Sequence, residues 1–294
     1  MGTHSKRRLA ATAALAALCS GTLGACGDAG RPAPDRAATQ AKESRFDPSH
    51  FGSPSSAANR WLPLEPGTQW VRDGATNLGH RRVPHRVITT VTDVSRVVDG
   101  VRTVAVMDQD VDAGQISQES LDFLAEDKQG NVWDMGSYTE AYEGGRFVSV
   151  QDAWLSGVKG GRGGILVQGA PRAGSQPYSI AKPPGDDPDV AQVVGTGQSR
   201  CVPFKCFTGV LVVREGKASA PDNEFKYYAP GVGQILNLPR SASLHKDVEK
   251  LVNLTHLSAR GLTEMSREAL KLDAHARAEK PAIFGRGPAA TRTL

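Results

Sequence analysis

The sequence predicts a mainly β protein: a single antiparallel β-sheet domain, curved into a half-barrel or packed as a sandwich, with one C-terminal helix. Strand-forming runs rich in Val, Ile and Thr recur at short intervals from Thr68 to Leu257. Turn residues separate them, among them Asp99-Gly100, a pair suited to a two-residue hairpin. Apolar residues at helical spacing are confined to one stretch near the C-terminus.

Residues 1–25 read as a lipoprotein signal peptide. A basic start with Lys6, Arg7 and Arg8 precedes an apolar run from Leu9 to Leu18, and about ten apolar residues are too few to span a bilayer. Leu23-Gly24-Ala25-Cys26 closes the leader, with small residues at the scissile bond and a thiol at Cys26 to receive diacylglycerol. The chain is therefore expected to sit outside the cytoplasm, lipid-anchored through Cys26 to the outer face of the cell membrane. General secretion and the twin-arginine route both remain open. Residues 26–59 are rich in Ala, Pro, Ser, Gly and charge. Such a composition buries too little apolar surface to fold, so this part reads as a flexible tether reaching roughly 30 Å. Phe46-Asp47-Pro48 and Phe51 mark the start of an ordered strap.

Residues 60–258 form the predicted antiparallel β domain. Strands are expected over 68–71, 87–98, 101–107, 117–125, 132–135, 146–150, 190–196, 207–214, 224–228, 232–238 and 248–257. The Gly-, Pro- and Asp-rich stretch 156–189 reads as a long loop, and Gly160-Gly161-Arg162-Gly163-Gly164 as its flexible part. Residues 259–280 hold the helix, with Met265, Ala269, Leu272 and Ala276 in a narrow stripe, Thr263 as the N-cap and Pro281 as the stop. So narrow a stripe suits the outside of a sheet. Residues 281–294 show no period and read as a disordered tail.

The formal charge of +4 belongs to the leader. Without Lys6, Arg7 and Arg8, 32 basic side chains face 31 acidic ones. A near-neutral protein has no electrostatic footprint for nucleic acid and no polybasic membrane patch. Cys19 leaves with the leader and Cys26 is acylated, which leaves Cys201 and Cys206 around Pro203. A hairpin disulfide is the simplest reading in an oxidising compartment, worth on the order of 2 kcal/mol. Free thiols and a zinc site are the alternatives.

Candidate chemistry is sparse. Asp108, Asp110 and Asp112 alternate along one strand, which would place three carboxylates on one face about 7 Å apart. With Glu119 they make a loose match to a calcium loop, although Ala113 stands where the sharp turn needs Gly. No metal and no cofactor is expected. Ser-Xaa-Xaa-Lys occurs at Ser156-Lys159, Ser179-Lys182 and Ser243-Lys246, none of which opens a predicted helix. His80 and His85 flank Pro84 and read as exposed loop histidines. Trp61, Trp70, Trp133, Trp154, Tyr227 and Tyr228 are expected to fill the core.

Four segments recur together in a group of exported bacterial proteins. They are Phe46-Asp47-Pro48, the run from Leu62 to Trp70 (LPLEPGTQW), the run from Asp127 to Trp133 (DKQGNVW) and the run from Tyr227 to Gly233 (YYAPGVG). Over about residues 46–257 the chain resembles that family of exported lipoproteins, to which no activity is assigned. The excess of Arg over Lys and the Ala, Gly and Pro load give it an actinobacterial type. The resemblance implies a β-rich fold and supplies no mechanism.

Two functional classes follow. The first is a non-catalytic surface domain whose partners are the membrane, through Cys26, and a hydrophobic ligand or envelope protein. The second is an envelope hydrolase built on carboxylates such as Asp122, Asp127 or Glu119.

Overall fold

The computed structural model describes residues 41–52, 59–78, 80–219, 224–240 and 248–293. Among them are strands β1 (Thr68–Leu78), β2 (Arg81–Val98), β3 (Val101–Asp112), β4 (Gln115–Glu126), β5 (Val132–Glu143), β6 (Arg146–Leu155) and β7 (Arg162–Val167). They continue as β8 (Tyr178–Lys182), β9 (Asp189–Cys201), β10 (Cys206–Lys217), β11 (Glu224–Ala229), β12 (Gly233–Pro239) and β13 (Val248–His256). Helices α1 (Ala259–Glu279) and α2 (Pro281–Phe284) come next, then strand β14 (Thr291–Arg292).

The strands pair antiparallel in the order β1-β13-β12-β11-β10-β9-β8-β7-β5-β4-β3-β2, and β2 returns to β1. The single sheet therefore closes into a twelve-strand barrel, one step beyond the expected half-barrel. Closure leaves the long pairing edges of β1 and β2 satisfied by each other. β6 lies beside β5 past the stretch that β7 occupies, and β14 adds to β2. Tight primed turns join β2 to β3 and β3 to β4, with Asp99, Gly100, Ala113 and Gly114 all at positive φ.

Alternation along each strand separates two cores. On β3, Val104 and Val106 point into the barrel while Ala105 and Met107 point out. The inner cluster fills one end around Trp61, Trp70, Val91, Leu124 and Tyr228. A strap from Asn59 to Leu64 runs across that end. Asn59 Nδ2 donates to Gly130 O at 2.6 Å, and its Oδ1 accepts from Trp61 N at 2.7 Å. Gly231 N donates to Arg60 O at 2.6 Å from the other side. A barrel of about eight strands is just filled by its own side chains; here, past the apolar cluster, the inward positions of the strands carry polar side chains.

Helix α1 lies on the outer face of β2 to β5, with Ala269, Leu272 and Ala276 buried there beside Phe123, Met135 and Tyr138. Its N-cap is Ser258, whose Oγ accepts from Gly261 N, rather than Thr263. Thr263 Oγ1 instead donates back to Ala259 O inside the first turn. Glu140, 1% exposed, accepts from Tyr138 and Tyr142 hydroxyls at 2.6 Å and touches His275 of α1.

Three expectations are corrected. The tail is ordered: Phe284 is fully buried, Arg292 pairs with the buried Asp93, and β14 joins β2. These anchors act over long range and leave no periodic trace in the tail itself. The stretch 156–189 contains β7 and β8, where Gly163 and Gly164 lie against the backbone of Asp134 and Ser179, so their lack of a side chain is a packing requirement. Of the expected tether, residues 41–52 dock on the barrel, where Phe46 and Phe51 pack edge-on or tilted around Trp133.

Candidate functional site

The inward parity of β3 that starts with Val104 and Val106 continues with Asp108, Asp110 and Asp112, so the same pleat that builds the apolar end delivers carboxylates to the lumen. Asp122 on β4 faces Val106 across the ladder, between the outward Leu121 and Phe123. Asp134 on β5 lies between the outward Trp133 and Met135, and its Oδ1 accepts from Gly136 N at 3.1 Å. These strands make one arc of wall on which acid follows acid.

The other arc is balanced in the sense that each of its carboxylates has a cation partner. Arg72 on β1 donates to Glu249 on β13 at 2.9 Å and to Thr89 Oγ1 at 2.8 Å. Lys226 on β11 pairs with Glu215 on β10 at 2.8 Å and with Glu224 at 3.7 Å. Lys217 holds Asp186 and Asp189. Among the described residues no such partner lies within ion-pair distance of Asp108, Asp110, Asp122 or Asp134.

Titration follows that asymmetry in part, for burial also raises Glu215 and Asp189 on the paired arc. Burial, reinforced by the charge of Asp108, pushes both Asp110 and Asp122 up to about 7. Burial and neighbouring Asp122 hold Asp134 well above the usual carboxylate range, and burial raises Asp108 against the opposing pull of Arg72. On the balanced arc, burial would raise Glu249, but the Arg72 guanidinium keeps it low. Burial would lower Lys226, yet Glu215 and Glu224 hold it well above an ordinary lysine. The lumen thus holds two carboxyl groups, Asp110 and Asp122, that change charge near neutrality.

Several buried polar atoms there have no hydrogen-bond partner among the described residues: Asp108 Oδ1, Tyr178 Oη and Asn237 Oδ1. Tyr178 is 4% exposed and Asn237 6% exposed. The Tyr178 hydroxyl lies in the field of Glu215, and Asn237 Nδ2 donates to Glu224. Leaving such groups unpaired costs about 1–3 kcal/mol each.

The sequence candidates scatter. Asp108, Asp110 and Asp112 share the lumen face, but Glu119 pairs with Gln109 on the outer face, where Gln109 Nε2 donates to it at 2.8 Å. The four do not converge, and among the described residues no group of three or more His, Cys, Asp or Glu is placed to hold a metal ion. Asp127 lies in the β4–β5 turn, so Asp122, Asp127 and Glu119 occupy three separate places. Ser179 and Lys182 sit on strand β8, where an i, i+3 pair points to opposite faces. Ser156 is engaged with Asp99 in a turn, and Ser243 and Lys246 lie outside the described residues.

His85 corrects another expectation. It is 5% exposed on β2, with Nδ1 at 2.7 Å from Asp112, because Pro84 occupies an outward position in a strand rather than a loop. His80 is exposed as expected. All six large aromatics are buried. Cys201 and Cys206 are disulfide-bonded across the β9–β10 hairpin, with Cα atoms 3.9 Å apart. Cys26 lies outside the described residues. Sequence reading missed Asp134, Lys226, Glu215, Tyr178 and Asn237. The signal available was a charged or polar residue at the apolar parity of a strand, as in Trp133-Asp134-Met135.

No protein-family model and no curated protein matches the chain. Among solved structures it is similar to that of a "putative lipoprotein" from Parabacteroides distasonis, at 12% identity over 68% of this chain and all of that one, with a TM-score of 0.30. That score is too low to carry fold or function across.

Proposed function

We propose that the chain is an extracytoplasmic protein, lipid-anchored through Cys26, whose barrel lumen binds a small polar ligand without transforming it. The observation that carries this reading is the inward carboxylate arc, without a cation partner among the described residues, inside a barrel closed at one end around Trp61. A protein interior normally pairs its buried charges. Four carboxylates without a cation partner, and two further buried polar atoms without a hydrogen bond, are what a site looks like before its ligand supplies the partners. An apolar or lipidic ligand would desolvate those carboxylates further and offer them nothing, so the lining favours a polar occupant. Native mass spectrometry of protein purified from membranes tests the reading. It is expected to show a diacylglyceryl-modified Cys26 at the N-terminus and a co-purifying small molecule that leaves on unfolding. An unmodified protein recovered from the culture medium would remove the anchor, and a barrel without a ligand that binds no added solute would remove the lumen site.

A further inference from the structure

We propose that the lumen takes an organic polycation, a linear molecule with two or more separated ammonium groups, laid along the carboxylates of β3, β4 and β5. The inference rests on the lumen being the binding site and adds the chemical class of the ligand.

The carboxylates are distributed rather than focused. Asp108, Asp122 and Asp134 stand on three adjacent strands, and neighbouring strands are about 5 Å apart. Asp110 follows Asp108 on the same face of β3. A single metal ion needs ligands converging on one point, and among the described residues none converge so. Charges spread over adjacent strands match charges spread along a chain. The barrel's own cations cannot fill this role, since Arg72 is held by Glu249 and Lys226 by Glu215 and Glu224.

Two unsatisfied atoms outside the carboxylate arc, Asn237 Oδ1 and Tyr178 Oη, add a second observation with the same polarity. Asp108 Oδ1 and Asn237 Oδ1 are acceptors without donors, and the Tyr178 hydroxyl can accept as well. An ammonium group offers three N–H donors and no acceptor. An anionic ligand would add charge to an acidic wall, and an uncharged one would leave that wall uncompensated.

Proton linkage gives the inference a signature. Asp110 is faced by Asp108 and Asp112 on β3, His85 on β2 and Glu249 on β13; Asp122 is faced by Asp108, Asp152 and Lys226. A bound ammonium stabilises the ionised form of both, so binding releases protons and tightens as pH rises through about 7.

Isothermal titration calorimetry on the full lipidated protein in neutral detergent provides the test, with spermidine, calcium chloride and maltotriose as probes. Spermidine is expected to bind one to one, more tightly at pH 8 than at pH 6. Asp122→Asn with Asp134→Asn should weaken it at least tenfold, while Glu119→Gln on the outer face leaves it unchanged. Asp108→Asn serves as a second variant should the double substitution fail to fold. Equal spermidine binding by wild type and lumen variants would overturn the proposal as surface screening, and so would calcium binding in place of spermidine. Maltotriose binding that the lumen variants abolish, with spermidine silent, would overturn the polycation and keep the lumen site. Silence from every probe, with no co-purifying molecule, would remove both.

Discussion

Gly233 sits at a φ of +107° with the Trp70 indole so close that a Cβ would lie 2.9 Å from Nε1. The indole N–H donates to Val232 O at 2.5 Å. Two of the recurring sequence segments therefore meet as one joint: the tryptophan that ends LPLEPGTQW is seated on the glycine that ends YYAPGVG. Gly233→Ala combines a strained backbone with a clash against a fully packed ring, and is expected to cost roughly 2–3 kcal/mol, read as a lower midpoint in urea. The segment DKQGNVW is a joint too. Asp127 accepts from Gln129 N, Asn131 N, Asn131 Nδ2 and Trp133 Nε1, all at 2.8–2.9 Å. Asp127→Ala leaves the buried indole N–H without an acceptor, and a loss of about 3 kcal/mol is expected in the same assay. An unchanged midpoint would mean that water replaces the carboxylate. At this scale the sequence marked the right residues for a structural reason: these motifs hold turns together, and the polar lumen lies elsewhere.

The elements divide by the range of the interactions that form them. Hairpins were legible because alternation and primed-turn residues are local, as at Asp99-Gly100 and at Cys201 to Cys206. Helix α1 was legible in extent and in its place outside the sheet, since Ala269, Leu272 and Ala276 carry the period themselves. Its companion tail was not. Phe284 packs against Phe123 and Tyr138, and Arg96 donates to both Asp273 and the Phe284 carbonyl. Arg277 adds a second bond to that carbonyl at 2.8 Å. Each anchor depends on residues far away in sequence. Phe284→Ala empties a filled site and is expected to cost about 3–4 kcal/mol. Deleting residues 281–293 should cost more, since it also strips Arg292 from buried Asp93 and leaves that carboxylate unpaired. Thermal unfolding followed by circular dichroism measures both; a tail that can be removed without lowering the transition would show that β2 and α1 hold without it.

For the whole molecule, closure is the feature that alternation could not disclose. Each strand of the sheet reads the same whether β1 meets β2 or both stay as edges, because the closing pair is set by how far twelve strands curl. Closure is also what half-buries the inward carboxylates, and it makes stability depend on pH in a definite sense. Asp110 and Asp122 titrate near 7 in the fold against an ordinary value of 3.8, and Asp108 and Asp134 are raised too. Between those limits the native protein holds more protons than the unfolded chain, so these groups stabilise it fully below pH about 4 and lose that contribution as pH rises through about 7. The depressed carboxylates Glu249, Asp93 and Asp73 act oppositely and weaken the fold only in acid, as pH falls below their ordinary values. The melting temperature of the ligand-free protein is therefore expected to fall from pH 5 to pH 8. Asp110→Asn with Asp122→Asn should flatten that fall and stabilise the protein at pH 8 by on the order of 1–3 kcal/mol, with little effect at pH 5. A melting temperature that rises over the same interval, or Asn variants that lose stability at pH 8, would mean that the lumen keeps its carboxylates ionised and solvated.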